Sequence, residues 1–245
     1  MRILVIGESC MDVYQYGDST RLCPEAPVPV FNCNGAQRSN IGMAANVYNN
    51  IKSLTTGADI DVDINTNPSW EKITKKRFVD FRTNYLVARV DTNDDLYGAC
   101  EVDKIDFHMY DAVVISDYHK GFLTTQDISD QSATTFLDTK KILGSWAENI
   151  DFIKINDVEY SKTEHSVTSK LKSKMIITMG PDGCEYQEKR FPVQKVEIKD
   201  AAGAGDTFIS ALAVEYVKNN DIIKAIKFAN ECATKVVQVK GVAIA

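Results

Sequence analysis

The sequence has no apolar run long enough to cross a bilayer, no Cys-x-x-Cys pair and only three histidines in 245 residues. The first absence sets aside a membrane-spanning helix and a membrane partner. The second, with His108, His119 and His165 at no ligand-like spacing, sets aside a structural zinc. The six cysteines (10, 23, 33, 100, 184 and 232) are scattered, and the apolar run Met1–Ile6 is too short for a signal peptide. Reduced thiols and a cytoplasmic location are the expectation. An excess of basic charge is missing too: the net charge is −6, which argues against a nucleic-acid partner. The basic runs Lys72–Arg77 and Lys170–Lys174 carry no interleaved aromatics and read as solvated faces. Two common nucleotide motifs are absent as well. There is no Gly-x-x-x-x-Gly-Lys-Ser/Thr, and no Gly-x-Gly-x-x-Gly follows the first strand.

What is present is an alternation of short apolar runs with helix-length segments. Arg2–Ile6 ends at Gly7 and reads as a buried central strand. Beyond residue 110, Ala112–Ser116, Thr135–Asp138, Phe152–Ile155 and Met175–Thr178 repeat the pattern, which argues for βαβ units and a parallel sheet. Pro27–Phe31 carries two prolines and suits an edge strand or a projecting flap. Residues 76–81 and 85–91 alternate about a three-residue turn and read as a hairpin. Between Leu54 and Lys75 there is room for a loop and one short strand, about Asp59 to Ile64. Helices are expected from Gly42 to Ile51, over 206–218 and over 221–239. In an open parallel sheet, ligands bind beyond the C-terminal strand ends. The polar residues cluster there: Glu8 and Asp12, Asp117 and Lys120, Asp138 and Lys140, Asn156 and Glu159, Thr178 to Gly183.

The most informative segment is Asp200-Ala-Ala-Gly-Ala-Gly-Asp206. Gly203, Ala204 and Gly205 leave backbone N–H groups unshielded at the start of a helix, which is an anion site. A carboxylate at that spot repels an anion unless it takes a proton from a nucleophile attacking it. The plain alternative is a glycine turn with Asp206 as a helix cap.

These residues carry a resemblance. Asp200–Phe208 is similar to the D-x-x-G-A-G-D-x-F signature of the ribokinase-like (PfkB) family of carbohydrate kinases, Asn156-Asp-Val-Glu159 to its N-x-x-E motif, and Gly42–Asn46 to its G-G-x-x-x-N signature. Within the family, Arg21–Val30 and Ser116–Gly121 resemble the heptose 7-phosphate kinase domain of ADP-heptose synthesis. The resemblance runs from residue 1 to about 243. It implies one three-layer α/β/α domain over 1–245, with a mostly parallel central sheet and a small β lid from about 13–33 and 76–91. It also implies ATP and Mg²⁺ as cofactors, with a monovalent cation left open, a sugar or sugar phosphate as substrate, and a homodimer through the lid. Asp206 would be the base, with Gly203, Ala204 and Gly205 forming the anion hole. Asn156 and Glu159 would hold Mg²⁺, and Thr178, Gly180, Gly183 and Asn230 the nucleotide. Asp12, Gly42 and Asn46 would bind sugar hydroxyls.

Each assignment has a plainer rival. Asp12 suits an Asx turn, and Asn156 and Glu159 a strand-end turn and a first-turn acid. Asp117 and Lys120 either contact substrate or pair with each other. Arg89 either reaches a sugar phosphate or is an ordinary exposed strand residue. Met43 replaces a family glycine, and Cys23 stands where serine is usual. Action on another sugar, or catalytic silence, stays open beside heptose phosphorylation.

Overall fold

The computed structural model describes residues 1–129 and 132–239. In chain order the elements are β1 (Arg2–Gly7), β2 (Ser9–Leu22), β3 (Pro29–Asn32), β4 (Gln37–Met43), α1 (Ala44–Leu54), β5 (Asp61–Asn65), β6 (Thr74–Asp80), β7 (Leu86–Thr92) and β8 (Ala112–Asp117). There follow α2 (Thr125–Ser129), β9 (Thr134–Thr139), β10 (Phe152–Asn156), α3 (Asp157–Thr163), α4 (Ser169–Lys172), β11 (Met175–Thr178), β12 (Cys184–Tyr186), β13 (Lys189–Phe191), α5 (Ala204–Asn219) and α6 (Ile222–Val236).

Eight strands form the main sheet in the order β13-β12-β11-β10-β9-β8-β1-β5. The pairs from β5 through β11 are parallel, and β12 and β13 close the edge as antiparallel strands. The side-chain period of two sends alternate residues to opposite faces. Ile3, Val5, Val114, Phe136 and Ile176 meet α1, α5 and α6 in one core. Leu4, Ile6, Val113, Ile115, Leu137 and Ile153 face the other way, under α2, α4 and short turns. Parallel strands buried on both faces explain the near-continuous apolar runs of the sequence.

A second sheet of five strands has the order β3-β2-β6-β7, with β4 pairing β2. The 76–91 segment is a hairpin as expected, with β6 and β7 antiparallel. The proline-bearing β3 is at the edge, where its missing donor leaves no inner ladder bond unmade.

The helix expected over 221–239 ends at Val236, α5 runs from Ala204 to Asn219, and the start of α1 also differs. Helix α1 starts at Ala44, while Gly42 and Met43 complete β4. Met43 takes φ 62°, ψ −134°, a left-handed conformation that glycine adopts freely and other residues adopt under strain. Its side chain is buried with Cys10, Ile73 and Tyr97, and Tyr118 packs against them.

Candidate active site

Helix α5 begins at the glycine turn. Gly203 precedes it with φ 80°, ψ −4°, a left-handed conformation that glycine supplies without a Cβ clash. The Ala204 N–H donates back to the Ala201 carbonyl over a long 3.3 Å, so an arriving anion competes for that donor. Gly205 and Asp206 lie in the first turn, where helix geometry gives backbone donors no internal partner.

Asp206 is buried and held by two donors. The Asn46 amide donates to Oδ2 at 2.8 Å, and the Tyr118 hydroxyl to Oδ1 at 3.2 Å. Asn46 is carried by α1, which packs along α5 through a buried polar seam. Thr207 Oγ1 donates to Asn50 Oδ1 at 3.0 Å, and Ser210 Oγ to the Val47 carbonyl at 3.1 Å. Burial pushes the Asp206 carboxyl up to about 6, with Asp138 adding to the rise and Asn46, Lys154 and Tyr118 opposing it. The group therefore changes charge just below neutrality, where a general base works best. Tyr118 is driven well above its ordinary range by burial and by Asp206, so it stays a donor.

Beneath the turn lies a charged cluster. Asp138 and Lys154 are cross-strand neighbours on β9 and β10, both buried, with Nζ donating to Oδ2 at 2.7 Å. Asp138 Oδ1 has no hydrogen-bond partner, and the Lys140 ammonium is 3.6 Å away. Burial would raise Asp138, but the charges of Lys154 and Lys140 hold it below its ordinary range. Lys140 also pairs with Glu159 and lies 5.5 Å from the Tyr118 ring centroid. Asn156 and Glu159 cap α3 reciprocally: Asn156 Oδ1 accepts from the Glu159 N–H at 2.8 Å, and Glu159 Oε2 from the Asn156 N–H at 3.1 Å. The N-x-x-E spacing is thus a capping box, with the second carboxylate oxygen of Glu159 turned to Lys140.

On the other side of the turn is a largely apolar cleft of about 220 Å³, which brings together Thr178, Gly180, Gly183, Ala204, Gly205 and Asn230. Val193, Val196, Ile198 and Val237 complete its walls. They fall in a strandless segment and at a helix end, and no periodicity marks them. Gly183, at φ 85°, has no room for a Cβ, which would meet the Phe191 carbonyl oxygen at 2.1 Å. Asn230 is anchored by donating to the Phe191 carbonyl at 3.0 Å.

The opposite flank of Asp206 belongs to the small sheet. Asp12 is buried and pairs with Arg77. Gly42 lets it lie against β4, since a Cβ there would meet Asp12 Oδ2 at 2.1 Å. Tyr14 shares this face, its hydroxyl buried without a partner, and Arg77 lies 5.2 Å from its ring centroid. Together with Asp200 and Ala201, Tyr14 and Arg77 line a cleft between the small sheet and the glycine turn.

Four expected substrate contacts are placed differently. Asp117 is fully buried and turned inward, bonded to Thr139 Oγ1 and to Lys141 Nζ at 2.5 Å; it braces the loop and offers no open face. Lys120 pairs with Asp94, not with Asp117. Arg89 is half-exposed and held by Asp91 through bonds of 2.7 and 2.5 Å. Asn46 commits its amide to Asp206. The same 117–121 loop is fixed from below by buried Glu8, which accepts from the Tyr118 and Lys120 N–H groups at 2.8 Å each. Tyr118, Lys154 and Tyr14 carry no signal of their own in the sequence, and the run Lys72–Arg77, expected to be a solvated face, instead buries Lys75 and sets Arg77 against Asp12. Tyr118 stood inside a recognisable motif, whereas Lys154 was hidden in an apolar run.

Among the described residues no group of three or more His, Cys, Asp and Glu side chains is arranged to hold a metal, and no helix is long and apolar enough to cross a membrane. Comparison with known proteins adds the following. The model of the pfkB family carbohydrate kinases matches residues 120–245, just over half of the chain. The bifunctional protein HldE of Helicobacter pylori is 29% identical over 299 aligned positions, covering 100% of this chain and 64% of the relative. That of Campylobacter jejuni subsp. doylei is 30% identical, covering 96% of this chain and 61% of the relative. The chain thus spans less than two thirds of these relatives. The 299 aligned positions exceed its 245 residues, so the relative carries segments this chain lacks. Among solved structures, ribokinase from Thermotoga maritima superposes with a TM-score of 0.73 at 16% identity, covering 98% of this chain and 94% of the other. Phosphofructokinase-2 from Escherichia coli gives 0.68 at 13% identity, covering 99% and 94%. The fold is ribokinase-like.

Proposed function

We propose, because the chain belongs to the pfkB family of carbohydrate kinases, that this sugar kinase moves the γ-phosphoryl group of ATP to a sugar phosphate, with the 1-hydroxyl of a heptose 7-phosphate as the preferred acceptor. The observation that carries the reading is the placement of Asp206. An ionisable carboxylate, oriented by Asn46 and Tyr118, stands in the first turn of a helix whose leading turn, from Asp200 to Gly205, is flanked by two clefts. One cleft is apolar and suits a base; the other is charged and suits a polar acceptor. Asp206 takes the proton of the acceptor hydroxyl as its oxygen bonds to the γ-phosphorus and the bond to ADP breaks. The N–H groups of Gly205 and Asp206, with Ala204 once released from Ala201, take up the charge on the transferring group.

The donor set fits Mg²⁺. Glu159 and Asp138 carry carboxylates at the phosphate edge, Asp138 Oδ1 lacks a hydrogen bond, and Asn156 is adjacent. Mg²⁺ binds through one or two carboxylates plus phosphates and water. When bound, the ion would neutralise phosphate charge.

The heptose preference rests on the likeness of Arg21–Val30 to heptose 7-phosphate kinases, the HldE relatives and the cation Arg77 in the cleft beside the small sheet. The small sheet would act as a lid that excludes water as a competing acceptor, and a second copy would dock on it to give a homodimer. An ADP-release screen over hexoses, pentoses, their phosphates and heptose 7-phosphate tests this. Turnover is expected to be fastest with heptose 7-phosphate. Faster turnover of an unphosphorylated pentose or hexose would overturn the acceptor, and ATP binding without turnover of any sugar would overturn the activity.

A further inference from the structure

The α5-facing side of the main sheet is apolar from end to end until its last cross-strand pair. There, directly under the first turn of α5, stand Asp138 and Lys154. Lys154 is 95% buried, and a Cβ built on Gly205 would lie only 2.8 Å from its Nζ. The ammonium therefore touches the backbone of the catalytic turn itself. This arrangement opposes ordinary electrostatics. The N-terminus of a helix carries partial positive charge and attracts anions, so a buried cation there is repelled. Asp138 and the Asp206 carboxylate offset part of that, but Asp138 is shared with Lys140 and Asp206 already accepts from Asn46 and Tyr118. Among the described residues the Lys154 ammonium makes one hydrogen bond, to Asp138, and an ammonium has three N–H donors. Two sources of positive charge thus converge on one spot, and donors are left over.

We propose that Lys154 is a catalytic residue that contacts the oxygens of the transferring phosphoryl group, completing from below the hole that the α5 turn forms from above. This rests on the phosphoryl-transfer reading of the site. In that step the acceptor oxygen bonds to the γ-phosphorus, the bond between phosphorus and the ADP oxygen breaks, and the proton goes to Asp206. Lys154 exchanges no proton; it binds charge that is greatest in the transition state. Gly205 is required because any side chain there would fill the space through which the ammonium reaches the phosphoryl group. Asp138 holds the ammonium in place and is a positioning residue.

The test separates a contact to phosphate from mere neutralisation of Asp138. Lys154→Met is expected to lower kcat by roughly 10²–10³-fold, with the KM for ATP changing by only a few-fold and Lys154→Arg recovering part of the loss. Because Lys154→Met leaves a buried carboxylate unpaired, the Asp138→Asn/Lys154→Met double variant is compared with Asp138→Asn alone. A further loss of more than about tenfold in the double variant supports the contact. Equal rates would show that Lys154 only neutralises Asp138, and overturn it. A second readout needs no turnover. Thermal melts of each variant are taken with ADP–Mg²⁺, with and without aluminium fluoride as the phosphoryl mimic. Wild type should gain stability from fluoride beyond ADP–Mg²⁺ alone, and Lys154→Met should keep the ADP shift but lose the fluoride increment. An unchanged increment in Lys154→Met would contradict the proposal. If wild-type protein released no ADP with any sugar, the phosphoryl-transfer reading itself would fail, a result distinct from active wild type beside an equally active Lys154→Met.

Discussion

At the level of single residues, the buried carboxyl of Asp206 lowers stability at neutral pH. Its folded carboxyl, raised to about 6, binds protons more tightly than the same group unfolded at about 3.8. The folded state therefore holds the extra proton between those values, and stability declines as pH rises through that window. Above about pH 6 the whole penalty stands. It amounts to about 1–3 kcal/mol, given that one pKa unit corresponds to ~1.4 kcal/mol. Asp206→Asn removes the charge and keeps both contacts, with its oxygen accepting from Asn46 and its amide donating to the Tyr118 oxygen. Thermal melts should show the variant more stable than wild type at pH 7.5, the gap closing toward pH 4; a less stable variant at pH 7.5 would count against a desolvated carboxylate. Gly205→Ala carries a different expectation. The Cβ meets the end of a flexible side chain, not backbone, so folding should survive while kcat falls at least tenfold, close to one transition-state interaction. A variant that unfolded, or one that kept full activity, would each refute this. The glycine turn and Asp206 were legible in the sequence because small residues before a helix have few other uses. Lys154 was not, because a charged residue inside an apolar run gives no sign that a cross-strand carboxylate awaits it.

At the level of elements, the junction of β4 and α1 and the start of α3 make the clearest statements. Met43 adopts a conformation that disfavours every residue with a Cβ, while its side chain fills a buried gap beside Tyr97. Truncation removes the packing in either case, but only glycine removes the strain. Met43→Gly should accordingly be more stable than Met43→Ala by about 1 kcal/mol, the reverse of the usual order; denaturant melts of the two variants decide this. At α3, Asn156→Ala removes a capping box and should lower stability by about 1 kcal/mol. If Asn156 also helps hold Mg²⁺, the variant should show a raised Mg²⁺ requirement that Thr168→Ala, the loss of the α4 cap, does not. The parallel strands were readable from their apolar runs. The β12–β13 hairpin was not, because each strand is only three residues long, and β4 was not, because its residues are mostly polar and it is defined by pairing with β2, which periodicity cannot display.

For the whole molecule, the two sheets divide the work. The main sheet buries its strands on both faces and fixes the turn, the charged cluster and the apolar cleft. The small sheet carries Asp12, Tyr14 and Arg77 on the other flank of Asp206, where Asp12 and Arg77 pair and the Tyr14 hydroxyl is buried without a partner. Hydrogen exchange should therefore gain protection in β2, β6 and β7 when nucleotide and acceptor are both bound, with β8 to β11 little changed; equal change in both sheets would argue against a moving lid. This division was only partly legible, since the sequence marked strands of the small sheet but not the face that each residue joins. The central claim is that ionised Asp206 is the base of sugar phosphorylation. It is tested most directly by the pH dependence of kcat/KM with the accepted sugar, measured for wild type, Tyr118→Phe and Asp206→Asn. The account predicts a wild-type acid limb near pH 6, its displacement to higher pH in Tyr118→Phe, where a donor to the carboxylate is lost, and a loss of roughly 10²–10⁴-fold in Asp206→Asn. An Asp206→Asn variant with wild-type rate and the same limb would contradict it.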